Sequence, residues 1–267
     1  MKPQWGIVTD EITEDPQKAM EIASDWGLKS VEIRGVGLNR RVPDLETEQI
    51  KGIADQAKRL NLEITALSPG TLKCSLHDEE AAGQMKRFEK TLELAQIFCV
   101  KRVITFSVKR SPLDDASAEQ QVHDLLGEMN LKAKRCGITL CVENERGWRA
   151  DTKEALMFLM SKLAPAGLRL NFDAANLVDA GDVADQKTWS ELYPFISSMH
   201  LKDICIQGPS KRWCLLGEGQ VGWPALLPVI LSSDRQIPMN IETHCPPLLE
   251  NSYRNRCFLK QFEEDAL

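Results

Sequence analysis

Short apolar stretches alternate along the chain with longer amphipathic segments. Apolar runs of this length, bounded by turn residues, are typical of buried parallel strands, whereas apolar residues at three- and four-residue steps predict helices. Strands are predicted at residues 4–9, 30–33, 62–67, 102–106, 138–145, 168–173, 196–201 and 239–243. The fifth of these, Ile-Thr-Leu-Cys-Val-Glu-Asn-Glu, ends in carboxylates, and three later strands also end in potential metal ligands.

An amphipathic helix is predicted after every strand. Asp15 precedes Pro16 as a helix cap, Asp151 and Glu154 resemble a capping box, and Gly137 is expected to end the fourth helix. The predicted helices are residues 16–26, 47–60, 79–98, 117–136, 152–163, 183–193, 223–231 and 248–262. Eight strand-helix pairs result.

Such regular alternation predicts an α/β protein with a parallel sheet and helical crossovers. An open doubly wound sheet would also alternate, but eight repeats in 267 residues favour a closed (β/α)8 TIM barrel, which typically takes about 250 residues. No linker divides the sequence, so we expect a single barrel domain over residues 1–267. The longest connection, 204–222, is either a lid over the barrel mouth or a solvated excursion.

Side-chain alternation within each strand predicts which residues face the barrel interior. If Leu140 and Val142 pack against the helices, then Cys141 and Glu143 face inward. The same alternation predicts that one polar residue faces inward at the carboxyl end of each of the last four strands. Barrel enzymes place their active sites at this end of the barrel. These four residues are Glu143, Asp173, His200 and Glu242.

Three carboxylates and one imidazole at one level of a barrel cannot stay buried without compensation. A divalent cation would supply it, and a set rich in oxygen with a single nitrogen suits Mn²⁺, Mg²⁺ or Co²⁺. Taken singly, each residue is more often a solvated group, a helix cap or a hydrogen-bonded core histidine. Their agreement in strand position and side-chain direction is what predicts a metal centre.

Composition excludes some partners. The formal net charge of −6 gives no general attraction to nucleic acid or anionic lipid. The chain shows neither the apolar stretch of a signal peptide nor a run of about 18 apolar residues, so no membrane partner and a cytoplasmic location are expected. The eight cysteines include no C-x-x-C pair and are expected to be reduced structural residues.

Motifs at the strand ends carry a family resemblance. They are Val142-Glu143-Asn144, Asn171-Phe172-Asp173 with Asn176, the segment 199–203, Leu216-Gly217-Glu218-Gly219 before Trp223, and Ile241-Glu242-Thr243, with 9–12 and 31–34 near the start. With these motifs the chain resembles the xylose isomerase-like barrel superfamily, in particular its sugar phosphate isomerase/epimerase branch. The resemblance implies one divalent ion held by Glu143, Asp173, His200 and Glu242.

The resemblance also implies proton transfer next to a carbonyl of a small sugar-like substrate. In that chemistry the ion stabilises an enediolate, while Glu143 and Glu242 act as the acid and base on either side of the reacting carbon. One departure is Asn176, because many epimerases of this group have a histidine three residues after the metal aspartate. Asparagine can bind a hydroxyl but cannot donate a proton at neutral pH.

Four further residues are candidates for substrate binding. Arg34 and Lys202 could bind a carboxylate, phosphate or hydroxyl, Asn176 a hydroxyl, and Glu145 shares the inward direction of Glu143. The alternative for Arg34 and Lys202 is an exposed surface cation, and for Glu145 a salt bridge with a nearby arginine. His244 is expected only to lead into the last helix.

Several alternatives stay open at this level. A dehydratase or lyase of the same superfamily would use the same enolate stabilisation and expel a hydroxyl. An apurinic endonuclease would need more than four histidines. A non-catalytic sugar-binding barrel is the rival outside enzymes. Neither the particular sugar nor assembly into a homo-oligomer is settled by the sequence.

Overall fold

Eight parallel strands close into a barrel in the computed structural model, which describes residues 3–264. A two-stranded antiparallel hairpin lies outside the barrel. The barrel strands are β1 (Trp5–Val8), β2 (Ser30–Ile33), β3 (Glu63–Leu67), β4 (Arg102–Thr105), β5 (Thr139–Glu143), β6 (Arg169–Asp173), β7 (Ile196–Leu201) and β10 (Met239–Ile241), and the hairpin strands are β8 (Asp203–Gln207) and β9 (Ser210–Cys214). The predicted closed α/β barrel is confirmed.

The barrel closes where β1 lies between β2 and β10. Gly6 pairs with Ser30 on one side and with Asn240 on the other. A Cβ atom on Gly6 would collide with the side chains of both partners. Glycine at this position therefore leaves room for polar side chains inside the barrel.

Helices follow the barrel strands on the outside. They are α1 (Pro16–Asp25), α2 (Thr47–Leu60), α3 (Gln84–Ile97), α4 (Ala118–Arg135), α5 (Lys153–Leu163), α6 (Ala174–Asp179), α7 (Gln186–Leu192), α8 (Trp223–Leu231) and α9 (Leu248–Glu264). Asp15 caps α1 as predicted, accepting hydrogen bonds from the N–H groups of Gln17 and Lys18. None of the helices in the described residues is long and apolar enough to cross a membrane.

The structure differs from the predicted elements in several places. The cap of α5 is Thr152, whose side chain accepts from Ala155 N–H, rather than Asp151. A short 3₁₀ helix, Glu79–Gly83, precedes α3 where one continuous helix was expected. The connection after β6 contains α6, which was not predicted, and α7 is shorter than 183–193. The connection 204–222 contains most of the β8–β9 hairpin. The sequence does not indicate this hairpin, because β9 is mostly exposed and charged and lacks the apolar pattern of a buried strand.

Strand alternation positions the core as expected. Leu140 and Val142 pack between the barrel and its helices, whereas Cys141 faces inward and meets Ala66 and Ile104 in a small interior cluster. Polar side chains occupy much of the remaining interior, including buried Asn171, Ser198 and Asn240. This polar interior leads upward to the carboxyl ends of β5, β6, β7 and β10.

Candidate metal centre

Glu143, Asp173, His200 and Glu242 meet at the carboxyl end of the barrel. Glu143 and Asp173 are the last residues of β5 and β6, His200 lies near the end of β7, and Glu242 directly follows β10. All four are buried, and each offers one ligand atom such that these atoms lie within 4.8 Å of one another. This is about the spread expected for the ligands of a single ion.

His200 stands between two of the carboxylates. Its Nδ1 lies 3.4 Å from Glu143 Oε1 and 3.4 Å from Glu242 Oε2, while its Nε2 lies 3.0 Å from both carboxylate oxygens of Glu32. Burial alone would lower the pKa of His200, but the surrounding carboxylates, Glu32 first, raise it well above its ordinary value. The imidazole is therefore aimed with Nδ1 towards the centre.

Glu32, the carboxylate bonded to His200, was not singled out from the sequence. It is completely buried in β2, accepts a hydrogen bond of 2.9 Å from Asn240 Nδ2, and is bonded by the hydroxyl of Ser68. A carboxylate that accepts the second ring N–H of a metal-binding histidine fixes the tautomer of the ring. Strand alternation applied to β2 could have shown that Glu32 faces inward, since it lies between outward Val31 and Ile33.

Asp173 is held by two asparagines. Its backbone N–H donates to Asn144 Oδ1 at 2.9 Å, and Asn144 Nδ2 donates to the Asp173 carbonyl at 2.8 Å. Asp173 also caps α6 by accepting from Asn176 N–H at 2.8 Å. The Asn176 amide in turn donates to the Asn144 carbonyl at 2.9 Å, and the residue is buried. These bonds tie together the ends of β5 and β6.

Lys202 lies between two carboxylates of the centre. Its Nζ is 2.9 Å from Asp173 Oδ2 and 2.9 Å from Glu242 Oε2, and it lies 4.6 Å from the centroid of the Trp213 ring. Burial would lower the pKa of Lys202, but these carboxylates raise it above its ordinary value. Since Trp213 belongs to β9, the hairpin covers the cation that balances part of the centre.

Arg34 forms ion pairs with three carboxylates. Its Nε lies 3.0 Å from Asp10, its second guanidinium nitrogen 2.7 Å from Glu11 Oε1, and its third bonds Glu242 Oε1. Each of the three guanidinium nitrogens of Arg34 thus already bonds a carboxylate of the protein. Lys202 and Arg34 also counter the effect of burial on Glu242, so that the pKa of this carboxyl is well below its ordinary value.

The residues present fit a divalent ion. His200 Nδ1 is buried without a hydrogen-bond partner, and Asp173 Oδ2 is buried with only the Lys202 ammonium group beside it, which leaves both atoms able to bind an ion. Burial raises the pKa of Asp173 to about 6, against the opposing effect of Lys202. An ion would bind these atoms and favour the charged carboxylate. Three oxygen donors and one nitrogen suit a harder ion such as Mn²⁺, Mg²⁺ or Co²⁺.

A cleft with about 460 Å³ of empty space opens above the centre. Arg41, Lys73 and Phe106 form part of its wall, together with His244. Glu145 lies beside it, with its Oε2 3.0 Å from Lys73 Nζ, and burial raises the pKa of this carboxyl. The alternative considered for Glu145 was a salt bridge with a nearby arginine, and its partner here is a lysine.

The expectation for His244 was wrong, because the residue lines the cleft. Its Nε2 lies 3.7 Å from Glu242 Oε1 and 3.6 Å from Glu11 Oε1, and its backbone has a φ of 52°. A non-glycine residue in this left-handed region is uncommon and often occurs at functional sites. Glu11, Glu242 and His244 form a second group of possible ligands that shares Glu242 with the first.

Comparison with known proteins finds barrels of the same architecture. The family model described as xylose isomerase-like TIM barrel matches residues 20–261. No curated protein matches the sequence.

Three similar structures span nearly the whole chain. The probable 3-DHS dehydratase AsbF from Bacillus anthracis is 17% identical, with 97% of this chain and 99% of that chain covered and a TM-score of 0.81. A xylose isomerase-like TIM barrel protein from Mycobacterium smegmatis in complex with magnesium is 17% identical, with 94% of this chain and 89% of that chain covered and a TM-score of 0.76. The 3-keto-D-glucoside 4-epimerase YcjR from E. coli is 14% identical, with 97% of this chain and 100% of that chain covered and a TM-score of 0.78. At these identities the structures establish the shared fold.

Proposed function

The chain belongs to the xylose isomerase-like TIM barrel family, and from that premise we propose that it is a divalent-metal-dependent isomerase or epimerase acting on a small sugar-like molecule. The observation that carries the proposal is the position of His200 Nδ1, 3.4 Å from a glutamate oxygen on each of two sides. Glu143 and Glu242 thus flank one point, as removal and return of a proton require.

In this proposal Glu143, Asp173, His200 and Glu242 hold one ion, Mn²⁺, Mg²⁺ or Co²⁺. When bound, the ion supplies positive charge that stabilises an enediolate formed when a proton leaves the carbon beside a carbonyl. Magnesium is the ion in one of the similar structures. Glu32 orients His200 and keeps its Nδ1 directed at the ion.

The two glutamates have different surroundings, which suggests different roles. Glu242 is bound by Arg34 and Lys202, both of which favour its ionised form. Glu143 accepts only a weak hydrogen bond of 3.4 Å from Asn171 among the neighbouring amides. We therefore assign the first proton removal to Glu143, which is less restrained by cations. The return of a proton at the opposite face is assigned to Glu242, which takes that proton from the Lys202 ammonium group bonded to it, and solvent then restores the proton of Lys202.

The remaining candidates receive different roles. Arg34 holds Glu242 in place through its ion pairs, and Asn176 positions Asp173 and Asn144 through hydrogen bonds. Lys202 can also contact a substrate oxygen beside Asp173 and Glu242. Glu145, at the edge of the cleft with Lys73, contacts more distant parts of the substrate. A cytoplasmic location and assembly into a homo-oligomer stay predictions.

A dehydratase is the second candidate, supported by the likeness to the probable dehydratase AsbF. It would use the same removal of a proton, followed by loss of a hydroxide from the neighbouring carbon. Lys202 lies where such a hydroxide could be hydrogen-bonded, between Asp173 and Glu242. The two reactions differ in their products, because an isomerase keeps the mass of its substrate and a dehydratase loses water.

The test is a screen of ketoses, sugar acids and their phosphates with the Mn²⁺-loaded protein in D₂O, followed by NMR. Deuterium at a carbon next to the carbonyl, without loss of water, is expected. Glu143→Gln should abolish the exchange, Glu242→Gln should abolish formation of the product, and both should remain folded, whereas Glu93→Gln on the exposed face of α3 should alter neither. Loss of water would favour the dehydratase. A protein that binds no Mn²⁺, and whose stability neither Mn²⁺ nor EDTA changes, would overturn the enzyme proposal in favour of a sugar-binding barrel.

A further inference from the structure

Arg41 is a partly buried cation in the wall of the cleft. Its backbone is fixed by an antiparallel bridge to Gly35 and by a hydrogen bond of 3.1 Å from its N–H to Asp44. The guanidinium lies alongside Gly70, whose missing Cβ would be 3.9 Å from the Arg41 Cζ. Within residues 3–264, no carboxylate forms an ion pair with this guanidinium.

The other cations near the centre differ from Arg41 in this respect. Arg34 is paired with three carboxylates and Lys202 with two. Burial, together with the charge of Arg34, lowers the pKa of Arg41, as expected for a cation without a close partner. An arginine stays charged under all ordinary conditions, so this guanidinium is available to an anion from outside the described chain.

Lys73 provides a second cation in the same wall. Its Nζ lies 3.0 Å from Glu145 Oε2 and 4.3 Å above the Phe106 ring. The side chain is 40% exposed, so the ammonium group can also reach into the cleft. Because its charge is shared with Glu145, Lys73 should bind an anion more weakly than Arg41.

Building on the proposed function, we propose that the substrate carries an anionic group, a carboxylate or a phosphate, which Arg41 binds at the cleft wall while the reacting carbon lies at the metal centre. A guanidinium binds both kinds of anion with two parallel hydrogen bonds, and Lys73 adds a weaker attraction. Arg41 is thus a specificity residue, and the substrate is a sugar acid or a sugar phosphate rather than a neutral sugar.

Calorimetric binding to the Mn²⁺-loaded protein tests this inference with two matched pairs of probes. D-gluconate is compared with D-sorbitol, and D-fructose 6-phosphate with D-fructose. At least one anion should bind about tenfold or more tightly than its neutral partner, the effect of a charged hydrogen-bonded pair. The pair that shows the preference tells whether a carboxylate or a phosphate is recognised.

Two variants separate Arg41 from general electrostatic attraction. Arg41→Gln should remove the preference for the anion and leave Mn²⁺ affinity unchanged. Arg40→Gln is the matched control, because Arg40 lies 3.7 Å from Glu46 and is not part of the cleft wall. The Arg40→Gln variant should prefer the anion as strongly as the unaltered protein does. Lys73→Gln should reduce the preference by a smaller factor.

The possible failures are distinguishable. If Mn²⁺ binds and neither anion is preferred, or if Arg41→Gln retains the preference, the role of Arg41 is overturned and the proposed metal enzyme stands. If Mn²⁺ does not bind, the proposed function fails. In that case an anion preference that is lost only in Arg41→Gln would still support an anion site at Arg41. If no anion is preferred either, both the proposed function and the role of Arg41 are overturned.

Discussion

The imidazole of His200 and the carboxylate of Glu32 are joined inside the barrel, with His200 Nε2 3.0 Å from both oxygens of Glu32. We predict that Glu32→Gln lowers Mn²⁺ affinity about 10- to 100-fold, because the ligand loses the carboxylate that orients it and raises its basicity. Isothermal titration calorimetry measures the affinity. Glu93→Gln, at an exposed position on α3, is the control with the same change of side chain. Equal affinities for the two variants would refute the role of Glu32.

This pair also shows what could be predicted from the sequence. The barrel and the four inward residues depend on strand alternation and strand ends, which are local properties, and their positions agree with the prediction. Glu32 was overlooked because its importance depends on a residue 168 positions away. Strand alternation indicates that Glu32 faces inward, but its pairing with His200 has no signal in the local sequence.

The cleft wall illustrates the same limit. Arg34, which was predicted to contact substrate, is paired with Asp10, Glu11 and Glu242, whereas Arg41 has no such pair within the part of the chain that the structure describes. Both are arginines near the end of β2, and only the three-dimensional arrangement distinguishes them. His244 was misjudged because Pro246 and Pro247 suggested a simple connection, and the left-handed backbone that turns it into the cleft is not encoded by residue type.

Asp173→Asn should separate metal binding from folding. Asparagine can still cap α6 by accepting the hydrogen bond from Asn176 N–H. It gives up the ion pair with Lys202, but it also removes a buried charge whose cost is seen in the pKa of Asp173, raised by burial to about 6. We expect the metal-free variant to be at least as stable as the unaltered protein in urea unfolding. Mn²⁺ at 100 times its Kd should stabilise the unaltered protein by about 2.7 kcal/mol and the variant far less. Equal stabilisation of both proteins would exclude Asp173 as a ligand.

Arg34→Met should be strongly destabilising. The change leaves buried Glu11 without its main counter-charge and Glu242 with Lys202 but without its second cation, and breaking a buried ion pair costs about 3–5 kcal/mol. Urea unfolding without metal measures the free energy of unfolding. The control is Arg59→Met, because the exposed pair with Glu21 at 3.2 Å should contribute about 1 kcal/mol or less. Similar losses in the two variants would show that the Arg34 cluster contributes no more than a surface pair.

Thiol reactivity should follow burial. All eight cysteines are free, as the sequence suggested, and Cys99 and Cys257 are exposed. These two should react rapidly with a thiol reagent in the native protein. Cys141 is completely buried, and burial raises its pKa to about 11, so it should react only after unfolding. Peptide mass spectrometry after timed labelling identifies the modified sites. Early labelling of Cys141 would contradict the packed barrel interior.

Asp185 links stability to pH at the start of α7. Its Oδ1 accepts a hydrogen bond of 2.8 Å from Thr188 N–H, and that bond lowers the pKa of the carboxyl. Because the folded pKa is lowered, the stabilisation is present above the unfolded pKa of about 3.9 and is lost as the pH falls through the folded value. Asp185→Ala should cost about 1 kcal/mol at pH 7, the usual value of a helix cap, and progressively less below about pH 4.

Asp185→Asn provides the matched control for this pH dependence. Asparagine caps a helix about as well as aspartate but does not titrate, so its advantage over Asp185→Ala should stay constant as the pH falls. Urea unfolding of the three proteins between pH 7 and pH 3 measures the differences. If the gap between the unaltered protein and Asp185→Ala does not narrow at low pH, the charge of Asp185 contributes nothing and its cap acts only as a neutral acceptor.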